Sequence, residues 1–318
     1  MNKEILKKTQ SLIALLILCL MISLLSDKFL TTNNLWNVLR QISVNVCISM
    51  GMTLVVLMAG IDLSVGSILA FSSAICAGLI SHGIAIPAFD IYIGFTVLGG
   101  IMAAITVGTG LGLFNGWVIT KFDLPPFVAT LAMLTIARGG VMLYTQGIPI
   151  SNLGSGFEFI GSGWILGIPV PVWISVIMVL AMVFITKKTV FGRYIYAIGG
   201  NEKASFLSGI SIHKVKIAVY GIAGMMAAVA GILVTSRLNS AQPNAGLSYE
   251  LDAIAAVVIG GTSLSGGVGT VSGTVIGAVI IGVLNNGLVL LNVSPFWQQV
   301  VKGLVILLAV IIDKRSKR

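Results

Sequence analysis

Val271-Ser272-Gly273-Thr274-Val275-Ile276-Gly277-Ala278-Val279-Ile280-Ile281-Gly282-Val283 is a run of apolar and small residues with no charge in it. A strand of a membrane barrel alternates apolar and polar residues over about ten positions, and this run does not alternate. It reads as a helix. Its glycines would weaken a soluble helix, whereas small residues let the backbones of membrane helices approach closely. Leu12 to Leu25 has the same character. The fold expected from these runs is an all-α polytopic membrane protein.

Composition agrees along the whole chain. Of 318 residues 57% are hydrophobic and only 9% charged, against about a quarter charged in soluble domains. Mean hydropathy is +1.05, so lipid is the expected surrounding. Crossing about 30 Å of hydrocarbon takes roughly 20 helical residues. The runs place ten spans near 11–26, 38–59, 64–81, 91–119, 126–145, 168–186, 214–236, 249–261, 271–291 and 296–312. The fourth is long enough to be tilted or broken. The eighth is too short for a full crossing and is a candidate for re-entry.

The 19 Lys and Arg against 10 Asp and Glu give a net charge of +9. That excess could mark a nucleic-acid binder, but the basic residues flank hydrophobic runs instead of forming a patch, so no nucleic-acid partner is expected. Fourteen of the 19 fall in loops that a cytoplasmic N-terminus would place inside, while Lys28 and Arg237 fall outside. The positive-inside rule therefore puts both termini in the cytoplasm, the C-terminal Lys314-Arg315-Ser316-Lys317-Arg318 included. Lys3, Lys7 and Lys8 before Leu12 to Leu25 mimic a signal peptide, but Ser26-Asp27-Lys28 offers no small-x-small cleavage site. An uncleaved first span is expected.

Several chemistries are absent. No G-x-x-x-x-G-K-[ST] loop exists to cradle nucleotide phosphates, so any ATP and Mg would be bound by another chain and no cofactor is expected in this one. Cys19, Cys47 and Cys76 lack metal or redox spacing. His82 and His213 are placed in loops, and no metal site follows. No hydrolase constellation is present, and the chain is not expected to be an enzyme.

Three features remain. In the basic loop at about 187–213, Gly200-Asn201-Glu202-Lys203-Ala204-Ser205-Phe206-Leu207-Ser208-Gly209 reads as a two-turn helix, capped by Asn201 and stopped by Gly209. Phe206 and Leu207 need burial, either against this protein's own helix ends or against a partner. Second, Gly60-Ile61-Asp62-Leu63-Ser64-Val65-Gly66-Ser67 interrupts two apolar runs. Asp62 either caps the third span or faces a pathway, and it is the carboxylate best placed for any ionisable relay. Ala59 to Gly66 overlays Gly260 to Gly267 without a gap, with both breaks on the cytoplasmic side. Third, Gly108, Gly112 and Gly116, and Gly269, Gly273 and Gly277, form rows on helix faces for close packing. Asn45, Asp62, Ser64, Asn115, Asn285 and Asn286 are candidate pathway residues. Their polar groups suit sugar hydroxyls and equally suit bonds between helices. Arg138 and Lys302 sit in or at the ends of spans, with no carboxylate beside them in sequence.

Taken together, Gly51-Met52-Thr53-Leu54-Val55, Gly60 to Ser67, Gly192-Arg193-Tyr194-Ile195-Tyr196-Ala197, Gly199-Gly200-Asn201-Glu202, Ser240-Ala241-Gln242-Pro243, Tyr249 to Val258, Gly260-Gly261-Thr262-Ser263-Leu264 and Leu284-Asn285-Asn286-Gly287-Leu288 closely resemble the ribose-type permease subunits of bacterial ATP-binding cassette sugar importers. The resemblance is nearly full length. It implies a single permease domain over 1–318 in the bacterial inner membrane, carrying a monosaccharide, ribose foremost. Its implied partners are a second permease copy, a cytoplasmic ATPase that binds ATP and Mg, and a periplasmic or lipid-anchored sugar-binding protein. It also assigns Gly200 to Gly209 to docking on that ATPase. The alternatives are an ATP-independent secondary sugar transporter or facilitator, and a cassette permease for another small sugar or for branched-chain amino acids.

Overall fold

A computed structural model describes the backbone of residues 3–86 and 90–315 and the side chains of 11–85 and 90–311. The basic tail expected at Lys317 and Arg318 lies outside these residues. The helices are α1 (Lys3–Leu25), α2 (Thr32–Leu57), α3 (Val65–His82), α4 (Val97–Lys121), α5 (Pro126–Thr145), α6 (Ser155–Ser162), α7 (Val170–Lys188), α8 (Val190–Gly200), α9 (Glu202–Leu207), α10 (Ile212–Leu238), α11 (Tyr249–Ile259), α12 (Val271–Leu290) and α13 (Pro295–Arg315). Short antiparallel strand pairs decorate them: β1 (Ile84–Ile86) with β2 (Ile91–Ile93), β3 (Ile150–Ser151) with β6 (Ser240–Ala241), and β4 (Trp164–Ile165) with β5 (Ile168–Pro169). Among the described residues seven helices are long and apolar enough to cross a membrane, and Ser11–Leu25 and Pro295–Ile311 are shorter apolar stretches. The all-α polytopic reading holds.

The chain packs as two compact units. One comprises residues 1–61, 175–215 and 251–318, the other 62–174 and 216–250. In the first unit α2 and α12 run antiparallel, because Thr53 bonds Thr274 at 2.9 Å while Asn34 bonds Asn286 near the opposite ends of the same helices. From Ile42 to Leu57 every residue of α2 is buried, which fits a helix that is hydrophobic on all sides. Gly273 and Gly277 seat α12 on α11, where a Cβ would strike the Gly260 and Ala256 carbonyls. Gly269, expected in the same row, instead lies before the helix, and the Thr270 hydroxyl caps α12 by accepting from Gly273 N–H.

In the second unit the row Gly108, Gly112 and Gly116 behaves as read. Added Cβ atoms would meet Gly224, Tyr220 and Ile217 of α10. Ala70, Ala74 and Ala77 of α3 pack with Ala104, Val141 and Phe157, so small side chains again set the helix spacing.

Two differences from the sequence reading concern the fourth span and the histidines. The run at 91–119 does not start as a helix: Ile91 to Ile93 pair back on Ile84 to Ile86, and α4 begins at Val97, where Thr96 accepts the Gly99 N–H at 3.2 Å. The β-branched residues and the Thr cap explain the shift. His82 and His213 are helical, closing α3 and opening α10, not in loops. The short eighth span is as brief as expected. At 11 residues, α11 rises about 16 Å, half the hydrocarbon thickness.

Candidate functional site

The basic loop holds two helices where the sequence reading placed one. Thr189 accepts from Gly192 N–H at 3.1 Å and starts α8, and the turn α7 to α8 is closed by Thr189 donating to the Ile185 carbonyl at 2.6 Å. Beta-branched and aromatic residues in Val190 to Tyr196 had concealed this helix, whose buried face is Gly192, Ile195 and Ile198. The next helix, α9, follows at once. Asn201 Oδ1 accepts the Ala204 N–H at 2.9 Å, as a cap should. At the other end Ile210 N–H reaches the Ser205 carbonyl at 3.1 Å and Gly209 N–H the Phe206 carbonyl at 2.9 Å, with Gly209 at φ +82°. Only Ser205 is buried; its hydroxyl donates to the Asn201 carbonyl. Phe206 is 64% and Leu207 84% exposed, so neither tucks against the protein's own helix ends.

Three candidate pathway residues meet in the second unit. Asp62 Oδ1 accepts from Ser64 N–H at 2.8 Å and from Ser64 Oγ at 2.6 Å, and Ser64 Oγ in turn accepts from Asn115 Nδ2 at 2.9 Å. All three are buried. Asp62 thus shapes the turn entering α3 by holding the backbone of Ser64, the residue that caps the helix by position. It is not the N-cap itself. Its Oδ2 has no hydrogen-bond partner among the described residues.

The remaining three do not gather with them. Asn286 forms a reciprocal amide pair with Asn34, at 2.9 and 3.0 Å, and serves as a tie between α2 and α12. Asn285 Nδ2 donates to Asp252 Oδ2 at 3.2 Å, and Lys302 Nζ reaches the same oxygen at 2.9 Å. Asn45 is buried with its amide nitrogen unpaired among the described residues.

Sequence reading missed Asp252, which makes Asp62 one of two buried carboxylates among the described residues. Fifty residues separate it from Lys302, and no local spacing could have linked them. Arg138 also gains partners the sequence hid: Nη1 donates to the carbonyls of Pro243 at 2.7 Å and Ala245 at 3.0 Å, pinning the segment before α11 to α5.

The two helix ends flanking the Gly-rich breaks share one geometry. Gly60 N–H bonds the Val55 carbonyl and Ala59 N–H the Val56 carbonyl. Thr262 and Gly261 do the same to Val257 and Val258. Ala59 (φ +59°) therefore corresponds to Gly261 (φ +87°), one residue later than the gapless overlay placed it.

A bundle of apolar helices with internal Gly seams and a capped loop helix carrying exposed Phe206 and Leu207 is the framework of a membrane-spanning protein. The chain belongs to the family described as branched-chain amino acid transport system / permease component, whose pattern it matches over residues 34–310. It is a multi-pass membrane protein. It is 51% identical to the ribose import permease protein RbsC of Bacillus subtilis strain 168, over 98% of this chain and 94% of that one. It is 50% identical to the RbsC protein of Haemophilus influenzae, over 96% and 92%. To the D-allose transport system permease protein AlsC of Escherichia coli K12 it is 40% identical, over 92% and 86%. No solved structure matches the chain.

Proposed function

We propose that this protein is the membrane-spanning permease subunit of an ATP-binding cassette importer in the bacterial inner membrane, and that its cargo is D-ribose. The observation that carries the cargo is identity of about half to ribose import permeases across nearly the whole of both chains. In this reading the chain is one permease domain with ten spans and both termini in the cytoplasm, the eighth being helical over α11 for only about half its depth and completed by the Gly-rich segment before α12. A second copy completes the pathway, a separate ATPase binds ATP and Mg, and a periplasmic or lipid-anchored protein delivers the sugar.

The exposed Phe206 and Leu207 on α9 support docking on the ATPase, since adjacent large apolar side chains left uncovered on a basic loop mark a surface for a partner. Closure of the ATPase pair would displace α9 and shift the packed helices between discrete arrangements. Tight binding belongs in the delivery protein, because a pathway that grips its cargo releases it slowly.

The test is ribose uptake into proteoliposomes holding this chain, its ATPase and its binding protein, with leucine and allose as competitors. ATP-dependent ribose uptake that leucine leaves unaffected is expected. Uptake without ATP would favour a facilitator, and inhibition by leucine would favour the amino-acid cargo named in the family description.

A further inference from the structure

Three pieces of backbone meet without intervening side chains at one end of the first unit. The last-turn carbonyl of α2, on Leu57, accepts the N–H of Gly267 at 2.9 Å. Gly199, next to last in α8, lies against both: a Cβ there would overlap the Leu57 oxygen and crowd the Gly267 nitrogen. Gly266 and Gly267 press back on Gly199 and Gly200 in the same way, and they hold φ of +79° and +72° that other residues rarely adopt. One turn earlier on α8, Tyr196 Oη donates to the carbonyl of Gly269 at 2.9 Å. Gly269 immediately precedes Thr270, the cap of α12.

α8 therefore touches the end of α2 and the start of α12, and one residue after it α9 begins. Side-chain contacts absorb small displacements by changing rotamer. Backbone seated on backbone has no such freedom, and close-packed interiors pass strain on. Two residues set this contact: Gly199 by having no side chain, and Tyr196 by holding the loop that leads into α12.

We propose that Gly199 and Tyr196 are positioning residues that convey movement of α9 to the ends of α2 and α12, so that they govern sugar moved per ATP hydrolysed and not ATPase docking. This rests on α9 being the docking helix. The experiment measures three quantities on the reconstituted importer: ATPase co-purification, ATP hydrolysis and ribose uptake. Tyr196→Phe removes one oxygen and keeps the ring, and Tyr194→Phe, on an exposed ring of the same helix, is its matched control.

Tyr196→Phe is expected to keep the ATPase bound and hydrolysing while uptake per ATP falls severalfold, with Tyr194→Phe unchanged. Gly199→Ala should act more strongly. Wild-type uptake per ATP in Tyr196→Phe overturns the proposal whether or not Gly199→Ala folds. Leu207→Asp separates the underlying reading. If it leaves co-purification intact, docking through α9 is wrong and the proposal falls with it; if it abolishes co-purification while Tyr196→Phe couples normally, transmission through α8 alone is wrong.

Discussion

Lys302 on α13 and Asp252 on α11 form an ion pair of 2.9 Å, with the carboxylate 4% and the ammonium side chain 19% exposed. Removing one partner of a buried pair strands the other charge and typically costs about 3–5 kcal/mol, and the partial exposure of Lys302 points to the lower end of that range. Lys302→Met should therefore lower the thermal midpoint in detergent markedly. Adding Asp252→Asn should recover much of the loss, because the stranded charge is then gone. Additive losses in the double variant would mean that the pair does not act as a unit.

The Asn201 cap should be worth about 1 kcal/mol to α9. Asn201→Ala should speed amide hydrogen exchange over residues 202–207 and weaken ATPase association, and Asn201→Ser should restore both. Slow exchange in the alanine variant would show that α9 is held by something other than its cap.

The α4 glycines give opposite outcomes two residues apart. At Gly112 a Cβ would strike the Tyr220 carbonyl of α10, so Gly112→Val should prevent assembly of the unit and abolish the folded peak in size-exclusion chromatography. Gly110 has no atom within 4 Å of a Cβ position. Gly110→Ala should be neutral or raise stability by up to about 1 kcal/mol, the helix-propensity difference.

Asn34 and Asn286 exchange two amide hydrogen bonds between α2 and α12. Polar pairs between membrane helices average about 0.6 kcal/mol in double-mutant cycles. A cycle of Asn34→Leu and Asn286→Leu should give coupling of that order, measured by denaturant unfolding in micelles. Zero coupling would assign both residues to another duty.

The membrane-helical character of the chain was legible in its long uncharged apolar runs, and the cap at Asn201, the stop at Gly209 and the Gly108 to Gly116 seam in spacing of four residues or fewer. Lys302 with Asp252 and Arg138 with the Pro243 carbonyl were not, since they join positions far apart in the chain. The first helix of the basic loop was hidden for a different reason. Val190 to Tyr196 is poor in strong helix formers, and its face on Ile195 and Ile198 is selected by tertiary packing, which overrides propensity. Among the candidate pathway residues, the Asp62, Ser64 and Asn115 chain needed the fold to bring Asn115 across 51 positions.

The burial of α2 has a consequence for genetics. A scan of substitutions along a helix ordinarily returns tolerance in waves of three to four residues, as one side faces something forgiving. α4 should give that wave, with intolerance recurring at Gly100, Ala104, Gly108, Gly112, Gly116 and Ile119. Ile42 to Leu57 should give none: a flat band of intolerance that, seen without the structure, would not look helical at all.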